Sequence, residues 1–383
     1  MRQKTRRALF VIAGLLVSAA AVLFFAYRLK GNWDEVLDSF ARANYLYLIP
    51  AVGALVVLYW CRVVRWRLFL KPIRKVRRID VTSATCIGFM TNCVLPARVG
   101  ELVRPYVLHR NAGVKFGHAL ATAAGLERVF DLVGLAILML MTWLMLSAYV
   151  PAQGPPAAGG AATAAAAPEG APAAATSPDG RPQHDGQIMQ QIWRTGIVFA
   201  VLAGVRALVL VGVALFPRVF HRVAEVCTAF LPHGWREPIR EFLYSITDAM
   251  GFLKNARGVA LAILFSMGLW FAQGLSTQAV AAALGIEIGL AGSFLVVIAV
   301  AAAVAVPQGP AFMGPFHVAA MLAAGSFGVG RGAAGAFALL MWAVNVVPIT
   351  VVGLAFLWYE GLSLRQLTAA SREIEERQGE GQG

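Results

Sequence analysis

Long apolar runs, separated by charged or proline- and glycine-rich segments, dominate the pattern of this chain. Helical runs of about twenty apolar residues are long enough to cross a bilayer. The pattern therefore predicts an all-α polytopic membrane protein. It places about six full transmembrane helices near residues 8–27, 46–66, within 116–150, 195–216, 258–284 and 333–359.

Two further apolar segments are interrupted. Residues 81–95 are too short for a comfortable span and have basic flanks on both sides, which predicts a re-entrant helical hairpin over 81–110. Residues 291–325 are broken by prolines and glycines, and the pattern leaves open a second re-entrant hairpin or two short spans. Interrupted segments at corresponding places in two halves point to a transporter binding site. Inverted pseudo-symmetry of the halves is a hypothesis.

Composition divides the chain into four parts. Residues 1–150 form an N-terminal membrane half, and 191–360 form a C-terminal half that carries an amphipathic, basic cytoplasmic segment at 217–257. Between them, 151–190 is rich in alanine, proline and glycine and is predicted to be a disordered extracytoplasmic loop. The charged residues 361–383 are predicted to be a flexible cytoplasmic tail.

Charge sets the orientation. Only 14% of residues are charged, against about 25% in soluble domains, and the net charge is +13. The basic residues lie beside the apolar runs, with eight of them between positions 62 and 78, which places this segment and both termini in the cytoplasm. We therefore attribute the net positive charge to cytoplasmic loops that face anionic lipid headgroups, and we expect no nucleic-acid partner.

The sequence NCVLPARVGELVRPY, residues 92–106, carries three charges between helix breakers. Pro96 is predicted to open a short helix, and Pro105 to limit its length. Arg98, Glu101 and Arg104 follow at intervals of three, so neighbours can pair on one face. The free N–H donors and dipole of a helix N-terminus within the membrane, together with the planar guanidinium groups of the arginines, suit the binding of a phosphate headgroup. A surface ion-pair cluster is the alternative.

A second charged group, GLERVFDLVG, lies inside the third predicted span. Glu127 and Asp131 are four residues apart with Arg128 beside them, and Glu127 is ~18 Å beyond Lys115 at helical rise. Ionisable groups at such depth are functional candidates. A structural salt bridge to the 98–104 helix is the other reading, and both can hold. Arg206, midway through the fourth predicted span, is expected to pair with a buried acid, Glu127 or Asp131, and a local bilayer defect is the alternative.

These observations define the predicted residues. The headgroup site comprises Asn92, Arg98, Glu101, Arg104 and Gln308. The intramembrane charge network comprises Glu127, Arg128, Asp131 and Arg206. The residues that shape the two hairpins are Pro96, Gly100, Pro307, Gly309 and Gly314.

Catalytic and metal-binding templates are absent from the sequence. It contains no phosphate-binding loop, no HExxH and no GxSxG, so we expect no enzyme activity, no catalytic residue and no cofactor. The four cysteines lack metal-ligand spacing, so no metal site is expected and the cysteines are interpreted as buried apolar residues.

LPARVGELVRPY, followed about twenty residues later by ERVFD, resembles the flippase-like transmembrane domain of the lysylphosphatidylglycerol synthase family. The likeness covers roughly 8–360, and PQGPAFMGPFH resembles the second motif of that family, with His317 near the usual place of an acid. Family members of full length continue into a soluble aminoacyl-transferase domain. Only about 24 residues follow the last predicted span here, so we expect a stand-alone membrane domain without lysyl-lipid synthesis.

The resemblance implies a bacterial cytoplasmic-membrane protein that moves a phospholipid or lipid-linked intermediate between leaflets. Its expected partner is an anionic membrane lipid. The alternatives are a non-transporting partner of a lipid-synthesis complex and a membrane-embedded headgroup transferase. A second copy of the chain, or a lipid-synthesis enzyme, is left open as protein partner.

Overall fold

The computed structural model describes residues 2–95, 98–152, 251–305 and 308–369, and all regular structure within these ranges is helical. The all-α prediction is thereby confirmed. The α-helices are α1 Arg2–Arg28, α2 Trp33–Ala41, α3 Leu48–Leu70, α4 Arg78–Val94, α5 Gly100–Ala112, α6 Phe116–Leu120, α7 Glu127–Ala152, α8 Ala256–Ala283, α9 Gly289–Ala305, α10 Pro315–Gly325 and α11 Arg331–Tyr359.

Four helical stretches in the described ranges are long and apolar enough to span a membrane. They are Tyr45–Leu70, Phe116–Ser147, Ala256–Ala283 and Arg331–Tyr359, which match four of the predicted spans. A fifth is obtained if α1 and α2, bent by 86°, count as one span. The predicted span at 195–216, the loop at 151–190 and most of the 217–257 segment lie outside the described residues, so a total of six stays a prediction.

The region between the first two predicted spans is helical where a loop was expected. The apolar pattern assigned no helix between the predicted spans 8–27 and 46–66, and these residues were interpreted as a loop, but Trp33–Ala41 forms α2. An amphipathic pattern explains this difference, because Val36 is buried while Leu37 is 64% exposed. Glu35 accepts a hydrogen bond of 3.1 Å from the backbone N–H of Gly332, so α2 packs on the start of α11.

The first interrupted segment forms two packed helices, α4 and α5, which we call the first hairpin. Close approach of their backbones depends on glycine: a Cβ on Gly100 would overlap the carbonyl oxygen of Gly88 and lie 2.5 Å from Asn92 Oδ1. The prediction that Pro96 opens the second helix is wrong, because Arg98 adopts a left-handed φ of 54° and the helix begins only at Gly100. Pro105 does not end it either, since α5 continues to Ala112.

The second interrupted segment forms α9 and α10, which we call the second hairpin. Its break packs on α1 through Ser18, whose Oγ accepts a 2.7 Å hydrogen bond from the backbone N–H of Gly309. Gly314 has a φ of 92°, and a Cβ there would lie 2.6 Å from the carbonyl oxygen of Ser18. Both glycines therefore permit close contact between α1 and this break.

The remaining packing surrounds the two hairpins with long helices. α3 packs along α8, α4 packs on α11, and α7 packs on α8 and α9. Cys61, Cys86 and Cys93 are buried as predicted, while Cys227 lies outside the described residues. Large apolar side chains such as Leu23, 70% exposed, and Ile49, 71% exposed, face outward, as expected for surfaces in contact with lipid.

The start of the predicted flexible tail is packed. Residues 364–369 are helical, and Leu367 is fully buried against the core that includes α4 and α5. The burial of this leucine side chain stabilises the helical turn that follows the last span.

Candidate functional site

Five charged side chains meet inside the protein, and we call them the inner cluster: Arg62, Arg65, Arg104, Glu127 and Asp131. Arg62 Nη1 lies 3.0 Å from Glu127 Oε1 and 3.5 Å from Asp131 Oδ2. Arg65 Nη2 lies 2.6 Å from Asp131 Oδ1 and 3.4 Å from Glu127 Oε1. Arg104 Nη1 lies 3.0 Å from Glu127 Oε2. The two acids that the sequence singled out are therefore shared by three arginines.

Several helices build this cluster. Arg62 and Arg65 are three residues apart on one face of α3, and Glu127 and Asp131 are four apart on α7. α8 contributes the hydroxyl of Ser266, which accepts a 2.7 Å hydrogen bond from Arg65 Nη1. Arg65 is completely buried, and these contacts supply polar partners for both of its terminal nitrogens, Nη1 and Nη2.

A π-helical turn over Ala121–Leu126 comes directly before Glu127. It is held by Trp66, whose indole N–H donates to Thr122 Oγ1 at 3.1 Å. The extra residue per turn changes the direction of the following side chains, and π-helical turns are frequent at functional sites. α6, this turn and α7 together form the third span, so the turn determines where Glu127 points.

Aromatic rings enclose Arg104. Its guanidinium carbon lies 4.4 Å from the ring centroid of Trp66 and 5.2 Å from that of Phe89. Arg62 also lies over Phe89, at 4.8 Å. These cation–π contacts favour arginine in a position where only 7% of the residue is exposed.

The inner cluster has more positive charge and more donors than its acids use. Three arginines face two carboxylates, and the buried Nε and Nη2 of Arg104 have no hydrogen-bond partner within the described ranges. Buried donors are normally satisfied, so an unpartnered guanidinium edge requires a physical explanation. An anionic oxygen atom is the chemical group that such an edge would bind most strongly.

Three further charges form a half-exposed outer cluster: Arg98, Glu101 and Arg128. Arg98 Nη1 lies 3.8 Å from Glu101 Oε1, and Arg128 Nη2 donates to the same Glu101 oxygen. Their side chains are 31%, 35% and 42% exposed, in the order Arg98, Glu101 and Arg128. This cluster links the break of the first hairpin to the start of α7.

Arg98 also joins the two hairpins. Its Nη2 donates to the backbone carbonyl of Val304, in the last turn of α9. A cation at a helix C-terminus is favoured by the helix dipole and by the free carbonyls there. Gln308 Nε2 donates to the same carbonyl at 2.9 Å, and its buried Oε1 has no partner in the part of the chain that the structure describes.

The helix N-terminus that the sequence suggested as an anion site is already occupied by protein acceptors. Asn92 Oδ1 accepts a 2.8 Å hydrogen bond from the backbone N–H of Gly100. The N–H groups of Glu101 and Leu102 bond to the carbonyls of Arg98 and Val99. Asn92 therefore positions α5, and the donors available to an anion belong to arginine side chains instead.

The sequence-predicted residues thus separate into groups. Glu127, Asp131 and Arg104 come together in the inner cluster, while Arg98, Glu101 and Arg128 form the outer one. Pro96, Pro307 and Arg206 lie outside the described residues. His317 is buried between the rings of Phe25 and Trp342, with centroids 5.3 Å and 5.5 Å away, as expected for an interior group.

Arg62 and Arg65 were missed as site residues. Both were assigned to the basic cytoplasmic segment 62–78, but α3 continues to Leu70 and brings them to Glu127 and Asp131. The signal that could have found them is spacing: two arginines three apart and two acids four apart each define one helical face.

Comparison with known proteins agrees with this architecture. The model of the family described as "Lysylphosphatidylglycerol synthase TM region" matches residues 11–194 and 186–353. The chain therefore belongs to the lysylphosphatidylglycerol synthase transmembrane family, as the motifs had predicted.

A more distant relative is the protein named glycosyltransferase AglD from Haloferax volcanii, 29% identical over 138 residues. The match covers 36% of this chain and 22% of that protein, so the chain spans about a fifth of the relative's length. No solved structure matches the chain.

Proposed function

We propose that this protein moves an anionic phospholipid, or a lipid-linked intermediate with an anionic headgroup, between the two leaflets of a membrane. The observation that carries this proposal is the surplus of arginine over acid in a buried cluster next to two interrupted helical hairpins. Burying unpaired arginine is costly, and the cost is offset when an anion completes the site.

In the proposed mechanism, the phosphate of the headgroup travels along arginine side chains while the acyl chains stay in lipid. Arg98 is half-exposed and offers the first contact, and Arg104 offers two buried donors deeper in the protein. Glu127 and Asp131 hold Arg104, Arg62 and Arg65 in place. Guanidinium groups suit this task because their planar donors match phosphate oxygens.

We further propose a bacterial cytoplasmic membrane as location, with both termini in the cytoplasm. Arg67, Lys71, Arg74 and Lys75 follow the candidate span Tyr45–Leu70 or lie at its end, and positive charge at this place is typical of the cytoplasmic side. In this orientation both ends of the first hairpin face the cytoplasm, and the hairpin enters the membrane without crossing it.

The direct test uses purified protein in liposomes that contain a trace of headgroup-labelled fluorescent phosphatidylglycerol. A membrane-impermeant quencher reports how fast label from the inner leaflet reaches the outer one. Wild type is compared with Arg98→Ala and Glu127→Gln. The matched control is Arg42→Ala, which removes an exposed arginine that lies 3.6 Å from Asp38.

We expect exchange by wild type and by Arg42→Ala, and an approximately tenfold or larger loss in Arg98→Ala, the effect of removing one charged hydrogen bond. Full transport by Arg98→Ala would contradict its role with phosphate. Absence of exchange for phosphatidylglycerol and for every other labelled lipid would contradict transport by this chain alone.

Similarity to a protein named a glycosyltransferase favours a second candidate function. In this alternative the chain is a membrane partner that presents a lipid-linked substrate to an enzyme. Charge-network variants would then lose a co-purifying enzyme, and purified protein would move no lipid. Mild-detergent affinity purification of wild type beside Arg98→Ala distinguishes this candidate from transport.

A further inference from the structure

We infer that Arg98 is the specificity-determining residue of the proposed headgroup site, and that it binds an anionic phosphate by exchanging its hydrogen bond to the Val304 carbonyl for one to the phosphate. This inference rests on the proposed function and deepens it, because it assigns the first contact to one side chain and names the charge of the headgroup. It also makes the contact between the two hairpins dependent on the substrate.

The contacts of Arg98 are replaceable, unlike those of the inner arginines. It donates a hydrogen bond to one backbone carbonyl, while its ionic partner Glu101 lies 3.8 Å away, beyond hydrogen-bond distance, and accepts from Arg128. Among the described residues Arg98 Nε has no hydrogen-bond partner, as holds for the Nε of the inner arginines too, but the Arg98 side chain is 31% exposed against 15% or less for those arginines. A phosphate can therefore reach this guanidinium and satisfy more of its donors than the protein does.

The carbonyl of Val304 can lose Arg98 without becoming unsatisfied. Gln308 Nε2 also donates to it, at 2.9 Å, so a second donor from the second hairpin remains after the exchange. Leaving a buried acceptor unpaired costs about 1–3 kcal/mol, and this arrangement avoids that cost. Arg98 is thus the changeable donor from the first hairpin, and Gln308 is the donor that remains within the second hairpin.

The charges around Arg98 select an anionic headgroup over a zwitterionic one. In the outer cluster two arginines face one acid, and in the inner cluster three face two. Each of these three acids is already paired with arginine, so a headgroup ammonium would find no free carboxylate among the described residues of the two clusters. An anionic phosphodiester places a net charge beside the surplus arginines, whereas a choline or ethanolamine headgroup also brings its own cation.

The test measures hydrogen–deuterium exchange of the protein in nanodiscs of two compositions: phosphatidylcholine alone, and phosphatidylcholine mixed with phosphatidylglycerol. A third arm adds inorganic phosphate to the phosphatidylcholine discs, which separates a free anion from a lipid headgroup. The reporter peptides cover residues 298–305 and 308–314, on either side of the break. Wild type is compared with Arg98→Gln, Arg98→Lys and the surface control Arg42→Gln.

Wild type and Arg42→Gln should exchange about tenfold faster at the reporter peptides with phosphatidylglycerol than without it, the effect of losing one hydrogen bond to a charged group. Arg98→Gln should exchange at the fast rate in both lipids, and Arg98→Lys should restore part of the response. Peptides of α11 should not change in any variant, which excludes general unfolding. A response to inorganic phosphate alone would assign the exchange to a free anion and overturn the lipid specificity.

The inference would be overturned if the deuterium exchange rate of wild type at the reporter peptides did not depend on the lipid. It would also be overturned if Arg98→Gln responded to phosphatidylglycerol as wild type does. The quenching assay on the same proteins separates this failure from failure of the proposed function. Lipid movement with no change at the reporter peptides would refute the exchange and leave transport standing. A lipid-dependent change at the reporter peptides without lipid movement would support the exchange of the Arg98 hydrogen bond and refute transport.

Discussion

The inner and outer clusters contain the same residue types but differ in how their charges are held. In the inner cluster, Glu127 and Arg65 are nearly or completely buried, and Glu127 is shared by three arginines. In the outer cluster every side chain is at least 31% exposed, and Arg98 reaches across to a backbone carbonyl. The inner cluster can therefore hold the helices together, while the outer cluster is able to exchange hydrogen-bond partners.

The largest expected effect is on stability, from the acid at the centre of the inner cluster. Glu127→Ala leaves Arg104 without its only ionic partner among the described residues and removes one partner each from Arg62 and Arg65. Removing one partner of a buried ion pair costs about 3–5 kcal/mol of unfolding free energy, because the other charge is left buried and uncompensated. Denaturant unfolding in detergent should therefore show a loss of that size.

The matched variant is Glu101→Ala in the outer cluster. Exposed pairs contribute about 0–1 kcal/mol, so this change should be several times milder. Equal stability losses in the two variants would remove the distinction between the clusters.

Pairwise coupling sharpens the comparison. A double-mutant cycle of Arg65→Met and Asp131→Asn, across a contact of 2.6 Å, should give a coupling of about 1–3 kcal/mol. The corresponding cycle of Arg128→Met and Glu101→Gln should give less than about 1 kcal/mol, because both side chains are more than one-third exposed. Both coupling free energies are obtained from denaturant unfolding midpoints, with the denaturant slope held constant across the variants. A larger coupling in the outer pair would contradict the interpretation that the inner pair is the stronger one.

A smaller effect is expected at the π-helical turn. Trp66→Phe removes the indole donor to Thr122 and keeps a ring beside Arg104, and Thr122→Val removes the acceptor. Each should cost about 1–2 kcal/mol of unfolding free energy through one buried hydrogen bond. Because both variants break the same hydrogen bond, the double variant should lose far less unfolding free energy than the two single variants lose in sum. Strict additivity would show that the bond does not hold the turn.

Much of the fold could be predicted because apolar runs report spans directly. Four of the predicted spans are found within the described residues, and the two interrupted segments break near the glycines that the sequence offered. α2 was missed because its apolar face is short and lies among charged residues. Pro105 was overestimated as a helix terminator, since α5 accommodates it between Gly100 and Ala112.

The site could be predicted only in part. Glu127 and Asp131 were found because buried charge is unusual in an apolar run, and Arg104 was found by its spacing from Arg98 and Glu101. Arg62 and Arg65 were not, because a count of basic residues indicates the side of the membrane and not the face of a helix. The direction of Glu127 depends on the π-helical turn, and the contact of Arg98 with Val304 joins residues 206 positions apart, so neither follows from local spacing.

In this proposal Arg98 of the outer cluster makes the exchangeable first contact with the headgroup, while Glu127 and Asp131 of the inner cluster hold the deeper arginines and the helices in place. The most direct measurement is the rate of lipid exchange by folded Arg98→Ala in phosphatidylglycerol liposomes, relative to wild type, with the unfolding midpoint of the same preparation. We predict a rate reduced about tenfold or more with an unfolding midpoint close to that of wild type. A wild-type rate, or a loss of rate that follows an equal loss of stability, would contradict the claim.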